Sequence, residues 1–488
     1  MSVLIVIENP KAWPLDVPGV EVVPARQYLV DPRFNGDRSA KVFNLCRSYR
    51  YQSVGYYVSL LATARGHKPL PDVQTLQDIR LSSVVRVASE DLEEVIHDSL
   101  KRLRRKRFEL DVYFGRSVVE TYDRLAQALF NQFPAPFLRA SFHYDEEWVL
   151  ESIRPIATSE IDEEHRPFVL ERARAYFAKP RMPTRQRAGH RYDMAILANE
   201  DEKDPPSNER ALQRFVRAAR QVGIGAEIID KDEYGRIGEF DALFIRETTG
   251  VNHHTYRFAS RAEAEGLVVI DDPESIVRCS NKVYLAELFA RHSIPAPKTM
   301  VVHRDNLDEV APTIGLPCVL KRPDSSFSKG VLKASDPPEL ARLLEKCLED
   351  SELAIAQEYV PSAFDWRIGV IDKKPLFVCK YHMVRGHWQV IATGGQGERK
   401  YGRVETLPLY MAPPKAVSLA IRCAGFIGAG LYGVDIKEVD GKFMVMEVND
   451  NPNIDAGVED AVARQDLYLS VMRVFRDRLD ARGMKGWD

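Results

Sequence analysis

Two carboxylates and an amide near the C-terminus are the residues of this chain best suited to chemistry. Asp435 lies in the run GVDI (433–436), Glu447 in MEVNDNPN (446–453), and Asn449 follows two positions after the glutamate. Side chains alternate faces along a strand, so Glu447 and Asn449 point the same way. The two runs flank Asp440-Gly441, a hairpin signal. A plain two-residue turn there would place Asp435 on the opposite face. A three-residue turn, with Gly441 left-handed beside a bulge, brings all three to one face, and that is the turn expected. Two hard anionic donors and an amide oxygen converging from paired strands suit Mg2+, an ion that also binds nucleotide phosphates. The competing reading is an acidic surface hairpin.

Upstream runs could supply the cations such a site needs. VLKRPDSSFSKG (319–330) reads as a strand followed by a small, polar, flexible loop. Lys321 would project its ammonium from the strand, and the serines with Gly330 could fold backbone N–H groups over phosphates. NKVYLAELFARHSIPAPKT (281–299) reads as an amphipathic helix with Val283, Leu285, Leu288 and Phe289 on its apolar face, stopped by Pro295 and Pro297. Lys282 opens that helix, where a cation opposes the macrodipole, so a functional reason for it is expected. Arg367, in AIAQEYVPSAFDWRIGV (354–370), carries a planar fork that suits oxyanions. A local ion pair between Asp365 and Arg367 is the alternative, worth little if exposed.

The order of these pieces resembles that of the RimK-like branch of the ATP-grasp carboxylate–amine ligases. Those ligases end in an aspartate strand, a glutamate-x-asparagine strand and a proline-containing loop, as GVDI…MEVNDNPNIDAGVE does here. The resemblance implies ATP and Mg2+ as cofactors, with Mn2+ as an alternative ion, and Asp435, Glu447 and Asn449 as metal ligands. It implies ATP contacts for Lys282 and Lys321. The stretch ending in Glu358, Tyr359 and Val360 looks like the hinge whose main chain meets the adenine edge. Asp365 falls where the family places a ribose-binding carboxylate, and Arg367 becomes a catalytic clamp on phosphate or acyl phosphate. The implied reaction is amide formation between a carboxylate, activated as an acyl phosphate, and an amine of an amino acid or small peptide. One stretch departs from the ribosomal-protein-modifying members. Gln389 stands where their arginine would fall, in GHWQVIATGGQGERKYGRVETLP (386–408). Lys380, His382 or Arg385 is the expected substitute cation, while His387 and Trp388 are equally well read as packing residues.

The expected architecture is α/β: an N-terminal α/β domain over 1–180, a small α/β pre-ATP-grasp domain over 190–275 and an α+β ATP-grasp core over 276–488. A chain of 488 residues exceeds one core. KPRMPTRQRAGHR (179–191) is basic, lacks apolar periodicity and reads as the linker. After it, YDMAILANE, AEIIDKDEY and DALFIRET read as strands and Glu209 to Val222 as a helix. Ligands collect at the carboxyl ends of strands in open α/β sheets, so Arg246 is expected to face an acceptor pocket. Residues 250–266 read as a helix whose adjacent His253 and His254 lack metal-ligand spacing on a helix face, favouring a structural or acceptor-contact role.

In the N-terminal region VLIVIE, VEVVPA and KVFNLC read as strands and SVGYYVSLLATARGH as a helix. The region looks like the N-terminal extension found on a subset of RimK-like proteins. Tyr49, Arg50, Tyr51, Tyr56 and Tyr57 either line a pocket or pack. The basic run KRLRRKR (101–107) reads as a solvated helix face. A net charge of −3 gives no reason to propose bulk nucleic-acid binding. Six cysteines without CxxC or zinc spacing fit reduced thiols in the cytoplasm. The opening MSVLIVIE reads as a strand and not a signal peptide, and no stretch reaches the roughly eighteen apolar residues of a membrane span. There is no internal repeat and no low-complexity segment, and a homo-oligomer remains open. The two readings from other classes are a regulatory ATP-binding protein without ligation and a nucleic-acid-associated protein using residues 101–107.

Overall fold

The computed structural model describes residues 3–13, 19–35, 40–178, 190–324, 330–349, 351–393 and 399–484. The chain divides into two compact units, one of residues 1–190 with 232–239, the other of 191–231 with 240–488. Most of the basic stretch 179–191 and the polar loop 325–329 lie outside the described residues.

In the first unit, Val3–Ile7 is buried along its whole length, the pattern of a strand covered on both faces. It sits inside a parallel sheet ordered Val20–Pro24, Val3–Ile7, Lys41–Asn44, Lys68–Leu70. Ser53 caps the helix Val54–Ala64 by accepting the Tyr56 N–H, one of the four donors a helix start leaves unpaired. A second, antiparallel sheet joins Arg107–Tyr113, Phe137–Asp145 and Glu147–Pro155. The basic run 101–107 is not a helix face. The helix Glu93–Leu100 ends before it and the strand begins at Arg107, so a turn carries the charges. Of the tyrosines, Tyr49 donates to the Asn44 carbonyl at 2.7 Å, while Tyr51, Tyr56 and Tyr57 pack edge to face in series.

The second unit begins with a parallel sheet ordered Val268–Ile270, Ala242–Ile245, Tyr192–Leu197, Ile224–Ile229. Asn208 caps the helix Glu209–Gln221, which buries Ala211, Phe215, Ala218 and Ala219, one stripe at helical spacing. Two larger antiparallel sheets follow, besides a two-stranded one of Ile391–Thr393 and Arg399–Tyr401. One orders Thr299–Val302, Ala354–Glu358, Cys318–Lys321 and Val331–Ala334; the other orders Val404–Leu407, Lys374–His382, Phe364–Ile371, Leu431–Val439 and Lys442–Asp450.

The five-stranded sheet sorts its side chains by period two. Trp366, Ile368, Val434, Ile436 and Val448 join one apolar core with the helices Lys282–Arg291 and Pro414–Ile427. Burying a side chain of this size contributes about 2 kcal/mol, so the face that packs these residues is fixed. The residues between them, Asp365, Arg367, Asp435 and Lys437, are thereby turned to the other face.

The helix after Asn281 does not run to its prolines. It ends at Arg291, and Ser293 takes φ +50°. The Ser293 N–H bonds Ala290 O and the Ile294 N–H bonds Phe289 O, a Schellman reversal sealed by the buried Ile294 and Phe289. All six cysteines are buried and unpaired. Among the described residues no helix is long and apolar enough to cross a membrane.

Candidate active site

The aspartate strand (Leu431–Val439) and the glutamate strand (Lys442–Asp450) meet at Asp440-Gly441. Val439 pairs with Lys442, so the loop has two residues, both with positive φ (+51° and +73°), the signature of a type I′ turn. The three-residue turn expected from the sequence is not formed. The parity is repaired further along the ladder: Ile436 pairs with Val445, but Asp435 pairs with Glu447, leaving Met446 as the extra residue of a bulge. Asp435 and Glu447 therefore share a face, as the chemistry required, by a different device.

Arg367 pairs with Asp435 on the neighbouring strand, so Arg367, Asp435 and Glu447 form a row across three strands. The Arg367 guanidinium grips both Asp435 oxygens, through Nε and through a second nitrogen at 2.8 Å. The local ion pair is thus between Arg367 and Asp435. Asp365 pairs instead with Lys437, whose Nζ lies 2.7 Å from the carboxylate, and the Ser362 hydroxyl donates to the same oxygen at 3.0 Å. Asn449 Nδ2 reaches Asp435 at 3.2 Å, which holds the amide beside the acid pair. Gly433 stands in the Asn449 row, where a Cβ would lie 2.8 Å from Pro452 and 3.1 Å from the Arg367 side chain. Any larger residue would force Pro452 to shift and crowd the Arg367 stem.

Two lysines arrive from other elements. Asn281 caps its helix by accepting the N–H groups of Val283 and Tyr284, while the Lys282 N–H bonds Pro323 O at 3.0 Å. These bonds fix the buried Lys282, and its Nζ lies 3.0 Å from Glu447. Lys321 ends the strand Cys318–Lys321; burial lowers its pKa, and the Glu447 charge opposes that loss. Burial likewise pushes the Glu447 carboxyl up, but Lys282 and Lys321 outweigh it and hold the group below the ordinary carboxylate range. Asp435 goes the other way: burial raises it more than Arg367 lowers it. The facing carboxylates of Asp435 and Glu447 are hard donors that fit Mg2+, and Asn449, whose Nδ2 points at Asp435, would add its Oδ1 from the same face.

At the expected adenine edge, ladder pairing ends with Glu358, whose N–H bonds Lys298 O at 2.8 Å. Tyr359 and Val360 lie just past that last pair. Lys333 sits 4.1 Å over the Tyr359 ring, and Trp388 meets it edge-on at 6.0 Å, so Trp388 is a packing partner. Ser325, Ser326 and Ser328 lie outside the described residues.

Three expectations need correction. Lys380 pairs with Trp366 and lies over the Phe364 and Trp366 rings, and His382 pairs with Phe364. Strand parity puts both on the face away from Asp435, so neither replaces the absent arginine beside it. Arg246 faces no pocket. It is fully buried and donates to Ser207 Oγ, Asn451 Oδ1 and the carbonyls of Pro206 and Pro452. It ties the parallel sheet to the end of the glutamate strand. The helix expected over 250–266 covers only His254–Ala264.

Sequence reasoning passed over Lys437 and Tyr381. Lys437 was readable, since it stands two residues from Asp435 on the same strand. Tyr381, whose ring lies 4.9 Å from the Arg367 guanidinium and whose hydroxyl donates to Glu459 at 2.6 Å, depends on pairings between distant segments.

A small parallel layer, a four-stranded sheet ending in a lysine and a five-stranded sheet bearing a paired aspartate and glutamate define an ATP-grasp enzyme. The chain belongs to the RimK-like ATP-grasp family: residues 279–464 match its RimK-like ATP-grasp domain, and residues 25–172 match the RimK-like ATPgrasp N-terminal domain. Alpha-aminoadipate–LysW ligase LysX of Saccharolobus solfataricus is 30% identical over 220 residues, 43% of this chain and 75% of that protein. A probable alpha-L-glutamate ligase of Alcanivorax borkumensis is 24% identical over 299 residues, 57% of this chain and 96% of that one. Among solved structures, D-alanine–D-alanine ligase of Bacillus anthracis covers 61% of this chain and 100% of its own, at 15% identity and a TM-score of 0.46. The protein is an ATP-dependent carboxylate–amine ligase that uses ATP with Mg2+.

Proposed function

We propose that the substrates are a small carboxylic acid and the amine of an amino acid or small peptide, joined through an acyl phosphate in the cytoplasm. The observation that carries the site assignment is the row Arg367–Asp435–Glu447 with Lys282 Nζ 3.0 Å from its end. The substrate carboxylate attacks the γ-phosphorus of ATP, the bond to the β–γ bridging oxygen breaks, and ADP leaves. The amine then attacks the acyl carbon, the acyl C–O bond breaks, phosphate departs and the amine loses a proton. Held by Asp435, Glu447 and Asn449, Mg2+ would neutralise phosphate charge. Lys282 and Lys321 hold phosphate oxygens, and Arg367 stabilises charge on the group in transfer. Asp365 and the Glu358–Val360 main chain orient the nucleoside. Mass gain dependent on ATP, screened over pairs of amino acids and small peptides, tests the proposal. ATP binding with no product and no phosphate release over that set would favour a regulatory nucleotide-binding protein.

The same reading assigns selection or delivery of the acceptor to the N-terminal region, because every residue given to nucleotide or metal lies between 282 and 449. A fragment beginning near His190 should bind an ATP analogue with affinity near that of the full chain and lose ligation. Loss of binding by a cooperatively folded fragment would show that the division of labour is wrong.

A further inference from the structure

A second group of donors stands at the carboxyl end of the parallel sheet. Glu247 follows the strand Ala242–Ile245 by two residues, and its side chain is 3% exposed. His253 caps the helix His254–Ala264 and His254 opens it. The two rings lie 4.0 Å apart, and one nitrogen from each, with a Glu247 oxygen, falls within a 4.8 Å span.

An ordinary histidine–glutamate ion pair would explain two of these residues. His254 Nε2 does lie 2.9 Å from Glu247 Oε2, an ion-pair distance, but the two atoms are not aligned as a hydrogen bond. Ligand atoms about 2.1 Å from one ion stand roughly 3–3.5 Å apart, with lone pairs directed at the ion and not at each other. Two of the other donor atoms are engaged. His253 Nδ1 lies 3.0 Å from the hydroxyl of the buried Thr255, and Asn199 Nδ2 donates to Glu247 Oε1 at 3.2 Å. Outer partners of this kind orient metal ligands.

We propose that Glu247, His253 and His254 form a binding site for Zn2+ or a similar first-row divalent ion, distinct from the Asp435–Glu447–Asn449 set. Two imidazoles and one carboxylate select such ions over Mg2+, which prefers oxygen donors. Three protein ligands leave at least one coordination position open. The site is tied to the end of the glutamate strand, since Asn451 Nδ2 donates to the Glu247 carbonyl at 2.6 Å.

The test is calorimetric titration of the full chain, stripped with chelator, with Zn2+ under saturating Mg2+. One tight site is expected in wild type and in Glu447→Gln alike. His253→Gln and His254→Gln should each weaken it by more than about tenfold, as loss of a ligand exceeds the effect of losing an outer partner. Co2+ added to the same proteins should give visible d–d absorption that both histidine variants change. Absence of Zn2+ binding, or binding that both histidine variants retain, overturns the site. So does binding abolished by Glu447→Gln alone. If circular dichroism shows one histidine variant unfolded, the other decides.

Discussion

Asp435 stands directly opposite Glu447 because Met446 is left out of the ladder between them. The type I′ turn at Asp440-Gly441 fixes a register that would pair Asp435 with Met446. One extra residue reverses the parity for everything beyond it, so Glu447 and Asn449 rotate to the face of Asp435 and Arg367. The deletion of Met446 should therefore preserve ligation, since Val445 still pairs with Ile436 and Glu447 moves into the place opposite Asp435 with no bulge needed. Near-normal turnover with native-like circular dichroism is the expected result; turnover below detection in a folded variant would show that the bulge itself, and not the shared face alone, shapes the site.

Glu447→Gln keeps the shape of the side chain and removes the charge paired with Lys282. Turnover supported by Mg2+ should fall by at least about 100-fold, the scale of losing one preorganised electrostatic contact. Unaltered turnover with an unaltered Mg2+ requirement would sink the metal assignment.

For the nucleotide, Lys321→Ala should weaken ATP binding more than adenosine binding, because the proposed contact is to phosphate. Calorimetry on both ligands reads the difference. Equal losses would make Lys321 structural.

Arg367 and Asp435 are 14% and 16% exposed, so removing one partner strands a largely desolvated charge. Arg367→Ala should cost about 3 kcal/mol of stability in the absence of nucleotide and metal. Added Mg2+ should restore part of it if the ion binds Asp435. Denaturant unfolding with and without Mg2+ checks both statements, and a variant as stable as wild type would show the pair to be inert.

A pH test falls on the first unit. Glu160 is raised by its partial burial, but the Ala157 N–H at 3.0 Å and Arg154 at 2.8 Å together hold its carboxyl below the ordinary range. A carboxyl depressed on folding stabilises above its unfolded pKa and loses that contribution as pH falls through the folded one. Glu160→Gln should thus cost on the order of 0.5 kcal/mol near neutral pH, a screened surface value. The gap between variant and wild type should close below the normal carboxylate range, as thermal melts over pH 3–7 would show. A gap that widens on acidification would reverse the assignment.

The sequence by itself determined what depends on local pattern. Strands such as Val3–Ile7 and Tyr192–Leu197 were readable because continuous apolar runs can only be buried. The helices Glu209–Gln221 and Lys282–Arg291 announced themselves by apolar spacing, and the asparagines before them supply the caps. The donor chemistry of Asp435, Glu447 and Asn449 was equally legible, since charge and donor type belong to single residues. The tertiary structure decided what depends on register and on distant neighbours. Period-two alternation cannot reveal a bulge, so the turn at Asp440-Gly441 was misread while the shared face was right. The same limit hid the parity that sends Lys380 to the apolar core and Lys437 to Asp365. Arg246 looked like a pocket residue from its place at a strand end. Its four partners at 206–207 and 451–452 come from segments that only folding brings together. A charged side chain can be buried there because hydrogen bonds from those segments satisfy it.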